Sequence, residues 1–222
     1  LRGVVLRGRV KDGMQVDEAR ARHLCETLLD TLIELHDVDY EQLGLAALGR
    51  PDGFVARQVS GWQKRYAAAK TDDVPTMAVA AEWLVANMPS SPAPSIIHND
   101  FKFDNVMYDS AAFNRIVGVF DWEMATIGDP LIDVGTTLCY WVEEGDEQGL
   151  KNLAFAPTHI AGMYTRSQLA ERYAERTGRD LSDIVFYYVF GLYKTAVVLQ
   201  QIYYRFKQGL TQDPRFAGLI EG

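Results

Sequence analysis

Apolar positions along this 222-residue chain recur mostly at helical spacing. The clearest run covers 17–36, where Ala21, Leu24, Cys25, Leu28, Leu29, Leu32 and Leu35 share one face and Asp17 is placed to cap the start. Val38-Asp39 ends that run, and residues 41–53 carry Gly and Pro at loop spacing. A second helix is predicted over 54–70, with Trp62 and Tyr66 four apart on one face, and a third over 76–88, stopped by Pro89. The period changes after the connector Ser90-Ser91-Pro92-Ala93-Pro94. Short β runs follow at Ile96–Ile97, Val106–Tyr108 and Ile116–Phe120; Asp109, Ser110 and Asn114 lie between the last two and predict a hairpin. Helical spacing returns at Asp129-Pro130, a good cap followed by a good first helical residue. Thr165-Arg166-Ser167-Gln168 has the capping-box form and opens a helix to about Arg176. A final helix starts at Asp180 or Ser182 and runs to about Lys207, closed by Gly209. Residues 1–10 read as β. The pattern as a whole is α+β: helices flanking a small antiparallel β insert.

Composition narrows the function classes. The chain is 48% hydrophobic and 23% charged, close to an ordinary globular domain. Its formal charge of −8, with no basic stripe, makes nucleic acid an unexpected partner. The longest apolar stretch, Ile184–Leu199, is broken by Gly191 and Lys194, so no membrane span is expected. Cys25 and Cys139 lack C-x-x-C spacing and read as buried reduced thiols, which fits a cytoplasmic location. The chain opens Leu1-Arg2-Gly3 without an initiator Met, and the expectation is a piece of something longer.

The β insert carries the candidate chemistry. It contains His98-Asn99-Asp100-Phe101-Lys102-Phe103-Asp104-Asn105 and, after the hairpin, Phe120-Asp121-Trp122-Glu123. If 106–108 pair with 116–120, Asn105 and Asp121 end adjacent strands about 4.8 Å apart. An amide oxygen and a carboxylate so placed can share one Mg²⁺, whose oxygen ligands lie at about 2.1 Å. Asp100, on the loop just before, is left to orient a hydroxyl or take its proton. Lys102 is within reach of a transferred phosphate as a point charge. That is a layout for phosphoryl transfer.

The pattern H-x-D-x-x-x-x-N, a short hairpin and then D resembles the catalytic loop and metal-binding Asp of protein-kinase-like folds. The fuller stretch, from Ile97-His98-Asn99-Asp100 through Asp121-Trp122-Glu123 to Gly128-Asp129-Pro130-Leu131-Ile132-Asp133, resembles the aminoglycoside phosphotransferase family. It is most similar to the branch found as kinase-like domains attached to acyl-CoA dehydrogenases. Leu35-His36, Val38-Asp39 and Tyr173–Arg179 fit the same branch. The resemblance implies a kinase-like C-terminal lobe using ATP and Mg²⁺ to phosphorylate a hydroxylated small molecule. It makes Asp100 the catalytic base or orienting group, Asn105 and Asp121 the metal ligands, and Lys102 a phosphate contact. His98 then braces the loop, and Asp133 hydrogen-bonds its backbone. Residues 1–10 become the connection from an absent N-terminal nucleotide lobe, 11–222 the helical lobe, and 95–133 its catalytic and metal segment. No Gly-rich loop or strand-borne lysine precedes residue 96, so this chain alone is expected to be inactive. The sequence departs from the family at Asn99, where Gly is usual.

Blander readings stand beside these. Asp104 reads as exposed or turn-forming, and Glu143-Glu144-Gly145-Asp146-Glu147 as a solvated acidic loop. Phe186, Tyr187, Tyr188, Phe190, Tyr193, Tyr203 and Tyr204 read as core, with a minority available to line an acceptor pocket. Two further functions compete with the transferase: a non-catalytic kinase-like binding module, and a metal-dependent hydrolase using the same oxygen ligands.

Overall fold

In a computed structural model, the structure describes residues 2–8, 16–90, 92–110, 113–152 and 154–220. Helix α1 (Glu18–His36) begins where Asp17 accepts from the Arg20 amide, and it buries Ala21, Leu24, Cys25, Leu28 and Leu32. Helices α2 (Phe54–Ala69) and α3 (Pro75–Ala86) follow. The third helix stops earlier than its apolar pattern suggests, because the Asn87 side chain turns back to bond the Trp83 carbonyl at 2.8 Å. Beyond the β segment come α4 (Pro130–Cys139), the short α5 (Gln148–Asn152), α6 (Arg166–Thr177) and the long α7 (Ile184–Lys207).

The predicted caps form. Thr165 and Gln168 make a reciprocal capping box, and Asp129 caps α4 by accepting from the Leu131 amide. The last helix starts at Ile184, a few residues late, because Asp180 captures the amide and hydroxyl of Ser182 in a local turn.

The core is organised by α4, whose ten residues are all buried, crossing α7. Their contact is backbone-close at two glycines. A Cβ on Gly135 would run into the Tyr187 carbonyl, and one on Gly191 would sit 2.8 Å from Gly135 O. Only residues without side chains permit that approach. Phe186, Tyr187, Phe190, Tyr193 and Tyr203 are buried around it, as the apolar pattern indicates, while Tyr188 and Tyr204 are half-buried.

The β segment differs from expectation in one respect. It forms two separate two-stranded antiparallel sheets. Strand β2 (Val106–Tyr108) pairs with β3 (Ile116–Val119) as the predicted hairpin, in the register Val106↔Val119, Met107↔Gly118 and Tyr108↔Ile116. Strand β1 (Ser95–Ile97) pairs instead with β4 (Thr126–Gly128), which the sequence pattern did not reveal. Of the expected β reading over 1–10, residues 2–8 contain a bridge from Val4 to Tyr108, with backbone bonds of 2.8 and 2.9 Å; Leu1, Arg9 and Val10 lie outside the described residues. In the connector, Ser91 lies outside them too. The class is therefore the expected one: α+β, mostly helical, with a small antiparallel β portion. No helix among the described residues is long and apolar enough to cross a membrane.

Candidate active site

The loop after β1 is fixed from below by Asp133 at the first turn of α4. Its carboxylate accepts the His98 amide at 2.6 Å and the Asn99 amide at 2.5 Å, and lies 3.4 Å from His36 Nε2. His36 is held in turn by the Tyr173 hydroxyl at 2.8 Å. Asp133 and both loop residues are buried, so these charge-assisted bonds form away from water. Asn99 adopts a left-handed backbone, φ 67°, which Asn tolerates better than most residues. Its side-chain amide donates to Met124 O at 2.9 Å, and its carbonyl accepts from the buried ammonium of Lys194.

His98 ties the loop to the far end of the hairpin. Its Nε2 donates to Phe120 O at 2.7 Å, while Nδ1 accepts from the Asp100 amide at 3.3 Å, and these partners assign the ring proton to Nε2. Trp122 covers the ring at a centroid distance of 4.9 Å.

Asp100 is half-buried, with its carboxylate fully engaged rather than free. Oδ2 accepts from Lys102 Nζ and from Asn105 Nδ2, each at 2.9 Å. Oδ1 accepts from the Tyr140 hydroxyl at 2.8 Å and from Lys102 Nζ at 3.2 Å. The Lys102 ammonium also sits 4.5 Å from the Tyr140 ring centroid and 5.1 Å from that of Phe155. Burial pushes the Tyr140 phenol well above its ordinary pKa, and the Asp100 charge adds to the shift, so Tyr140 remains a donor.

Asn105 and Asp121 stand where the hairpin register predicts. Phe120 N donates to Asn105 O at 2.8 Å, which puts Asp121 one residue beyond the pair. Asn105 is buried, and its Nδ2 is spent on Asp100, leaving the amide oxygen as its ligand atom. Asp121 is exposed and left-handed, φ 61° and ψ 51°. A non-glycine residue held in that region is uncommon and concentrates at functional sites. The donor set, one amide oxygen and one carboxylate, fits Mg²⁺, which is commonly bound by one or two protein oxygens, waters and substrate phosphates. No cluster of three or more His, Cys, Asp or Glu suited to a metal occurs among the described residues.

Other sequence readings change on contact with the structure. Asp104 is half-buried, not solvent-exposed, in a single turn of 3₁₀ helix over Phe103–Asn105. Its Oδ1 is buried without a hydrogen-bond partner, and burial raises its carboxyl pKa. The acidic run is not simply solvated: Glu143 and Asp146 both engage Arg166. Two residues in direct contact with the site were missed. Tyr140 reaches Asp100 across 40 positions, and Lys194 reaches Asn99 across 95, so no local spacing signals either. The one sequence hint of Lys194 is a charge inside an apolar helix.

Beside Tyr140 lies a cavity of about 170 Å³ lined by Cys139, Tyr140, Val142, Leu150, Phe155, Leu192, Thr195, Ala196 and Leu199. Its lining is mostly apolar. Cys139 and Cys25 are buried free thiols, and burial raises their pKa values to about 11 and about 12, so both stay unreactive.

A helical lobe that presents an H-x-D-x-x-x-x-N loop, backed by an Asp from the next helix and followed by a hairpin and a left-handed Asp, is a lobe of the kinase-like phosphotransferase fold. The chain belongs to the phosphotransferase enzyme family, APH, whose profile matches residues 3–172. It is similar to acyl-CoA dehydrogenase family member 11 of Rattus norvegicus, 30% identical over 199 residues, covering 87% of this chain and 25% of that protein. The Gallus gallus protein of the same name is 39% identical over 116 residues, covering 51% of this chain and 15% of the relative. The chain thus spans a quarter or less of these relatives. Among solved structures, a provisionally assigned aminoglycoside phosphotransferase from Ralstonia eutropha superposes with a TM-score of 0.84 at 28% identity, over 100% of this chain and 67% of that one. A macrolide 2′-phosphotransferase type I shares the fold, with a TM-score of 0.64 at 15% identity over 100% of this chain and 66% of its own.

Proposed function

We propose that this chain is the catalytic lobe of an ATP- and Mg²⁺-dependent phosphotransferase that moves the γ-phosphate to a hydroxyl of a small molecule. What supports the reading is the bond from the Asn105 amide to Asp100, together with the hairpin that carries Asp121 two residues past the strand paired with Val106–Tyr108. Asn105 Oδ1 and the Asp121 carboxylate would hold the ion. When bound, that ion neutralises charge on the nucleotide phosphates.

The chain's own groups do the rest. Asp100 accepts a hydrogen bond from the acceptor hydroxyl and aligns its oxygen with the γ-phosphorus. As that oxygen bonds to phosphorus, the bond to the ADP oxygen breaks and the hydroxyl proton passes to Asp100. Lys102 swings off Asp100 to the transferred phosphoryl oxygens, which frees the carboxylate for the acceptor. His98 and Asp133 hold the loop while this occurs.

The apolar cavity beside Tyr140 favours an acceptor with an aliphatic body over a polycation. The names of the curated relatives direct the first trials to hydroxylated acyl compounds. The reading expects a smaller lobe with a nucleotide-covering loop and a strand lysine, and the Ralstonia structure, matched over 67% of its length, leaves room for one. Two buried free thiols suit a cytoplasmic setting.

The test is ³¹P NMR of Mg-ATP with a panel of hydroxylated acceptors, using the longest available form of the protein. Transfer to one acceptor by the wild type, abolished in a folded Asp100→Ala variant, is expected. Wild-type turnover in that variant would remove Asp100 from its role. A second reading, a kinase-like binding module without turnover, draws on the Lys102–Asp100 contact, which occupies both carboxylate oxygens. It predicts Mg-ATP or acceptor binding with no phosphate transferred. Release of inorganic phosphate without an acceptor would favour the hydrolase.

A further inference from the structure

Lys194 lies in the middle of α7 with 3% of its surface exposed, and the proposed chemistry makes no use of it. Lysines are almost never so buried unless paired. Its ammonium donates to the Asn99 carbonyl rather than to a carboxylate. The Trp62 ring of α2 lies 5.8 Å away. A methionine would fill the same volume without taking a charge out of water, so fold stability alone does not account for a lysine here.

The bond partner suggests the reason. The Asn99 carbonyl belongs to the peptide that joins Asn99 to Asp100. On the other side of that peptide, the Asp100 amide makes a long 3.3 Å bond to His98 Nδ1, its one hydrogen bond among the described residues. Asp133 fixes the preceding amides, those of His98 and Asn99. Asn105 holds the Asp100 carbonyl on the following side, so rotation of the 99–100 peptide plane is the backbone freedom left on the preceding side, and Lys194 opposes it.

We infer that Lys194 is a positioning residue: from beneath the loop it pins the Asn99–Asp100 peptide and so keeps the Asp100 carboxylate aimed at the acceptor. The consequence for turnover rests on the phosphotransferase reading; the hold on the peptide does not. The charged and titratable groups facing the ammonium are Asp100 and Lys102 of the loop and Asp133 and Cys139 of α4. Burial lowers the Lys194 pKa below the ordinary 10.5, and the two carboxylates partly offset this. The clamp therefore opens at a lower pH than an exposed lysine would allow.

The experiment compares wild type with Lys194→Met in the longest available form, by amide hydrogen exchange and by phosphate-transfer kinetics. Exchange at Asn99 and Asp100 is expected to quicken by about tenfold, with protection along α7 retained and Tm not lowered. Turnover is expected to fall by up to about 10²-fold, the loss a small misplacement produces, with the KM for ATP unchanged. Wild-type turnover is expected to decline on the alkaline side as Lys194 loses its proton, and the decline in the variant to begin at higher pH. Unchanged exchange at Asn99 and Asp100 would overturn the inference. So would unchanged turnover, or a turnover loss matched by a fall in Tm and a rise in the KM for ATP. If the Met variant does not fold, Lys194→Gln, which keeps a shorter donor, decides through the same exchange measurement. Should the wild type transfer no phosphate, the phosphotransferase reading fails, while exchange still decides whether Lys194 holds the peptide.

Discussion

The loop from His98 to Asn105 has a floor and a rim of opposite character. The floor is Asp133, His36, Asn99 and Lys194, all buried and joined by short or charge-assisted hydrogen bonds. The rim is Lys102, Tyr140, Asp121 and Trp122, half-buried or exposed, with Lys102 resting on Asp100. The floor has no slack, because a loosened buried bond leaves a polar group without water. The rim has groups that can exchange partners at little cost. Phosphoryl transfer calls for both: a carboxylate that does not wander and a cation that can change partners when phosphate arrives.

Breaking the floor should produce the largest effect. Asp133→Ala leaves the buried amides of His98 and Asn99 without acceptors and is expected to cost about 3–5 kcal/mol in denaturant unfolding. Breaking the rim should separate activity from stability. Lys102→Met is expected to lower transfer by about 10²-fold, as loss of one preorganised positive group does. Its unfolding free energy should shift by about 1 kcal/mol or less, since the side chain remains partly exposed. Asp121→Asn, further out, should raise the Mg²⁺ concentration needed for half-maximal rate and move stability within about 0.5 kcal/mol. A loss of several kcal/mol in either rim variant would erase the distinction.

The smallest effect lies between the two regions. Asp104 keeps a buried oxygen unpartnered, and burial raises its pKa above the ordinary 3.8. A carboxyl with a raised folded pKa loses stability as pH climbs through the interval between the unfolded and folded values. Asp104→Asn is therefore expected to gain about 1 kcal/mol or less at neutral pH, with the gain vanishing below about pH 3.8. A gain that persists in acid would point to packing instead.

The hairpin and the rim residues Lys102, Asp121 and Trp122 were legible in the sequence because their geometry is local. Asn105 immediately precedes and Asp121 follows two paired strands three and four residues long, and alternation alone sets that register. The helices were legible from apolar spacing and caps. Of the floor, His36, Asn99 and Asp133 entered only through the family resemblance. Lys194 read only as an interruption of an apolar stretch, and Tyr140 not at all, since each meets the loop through the packing of α4 and α7. That packing depends on Gly135 and Gly191, which carry no periodic signal. Strand β4 was hidden for another reason: three residues, Thr126-Ile127-Gly128, show no alternation, and their pairing with β1 closes only in three dimensions.

The central claim is that Asn105 and Asp121 share one divalent ion beside Asp100. Anomalous scattering from crystals of the longest available form, grown with Mn²⁺ and a non-hydrolysable ATP analogue, tests it directly. The account predicts a manganese peak within about 2.2 Å of both Asn105 Oδ1 and an Asp121 carboxylate oxygen. A nucleotide bound with its metal elsewhere, or held by neither residue, would contradict it.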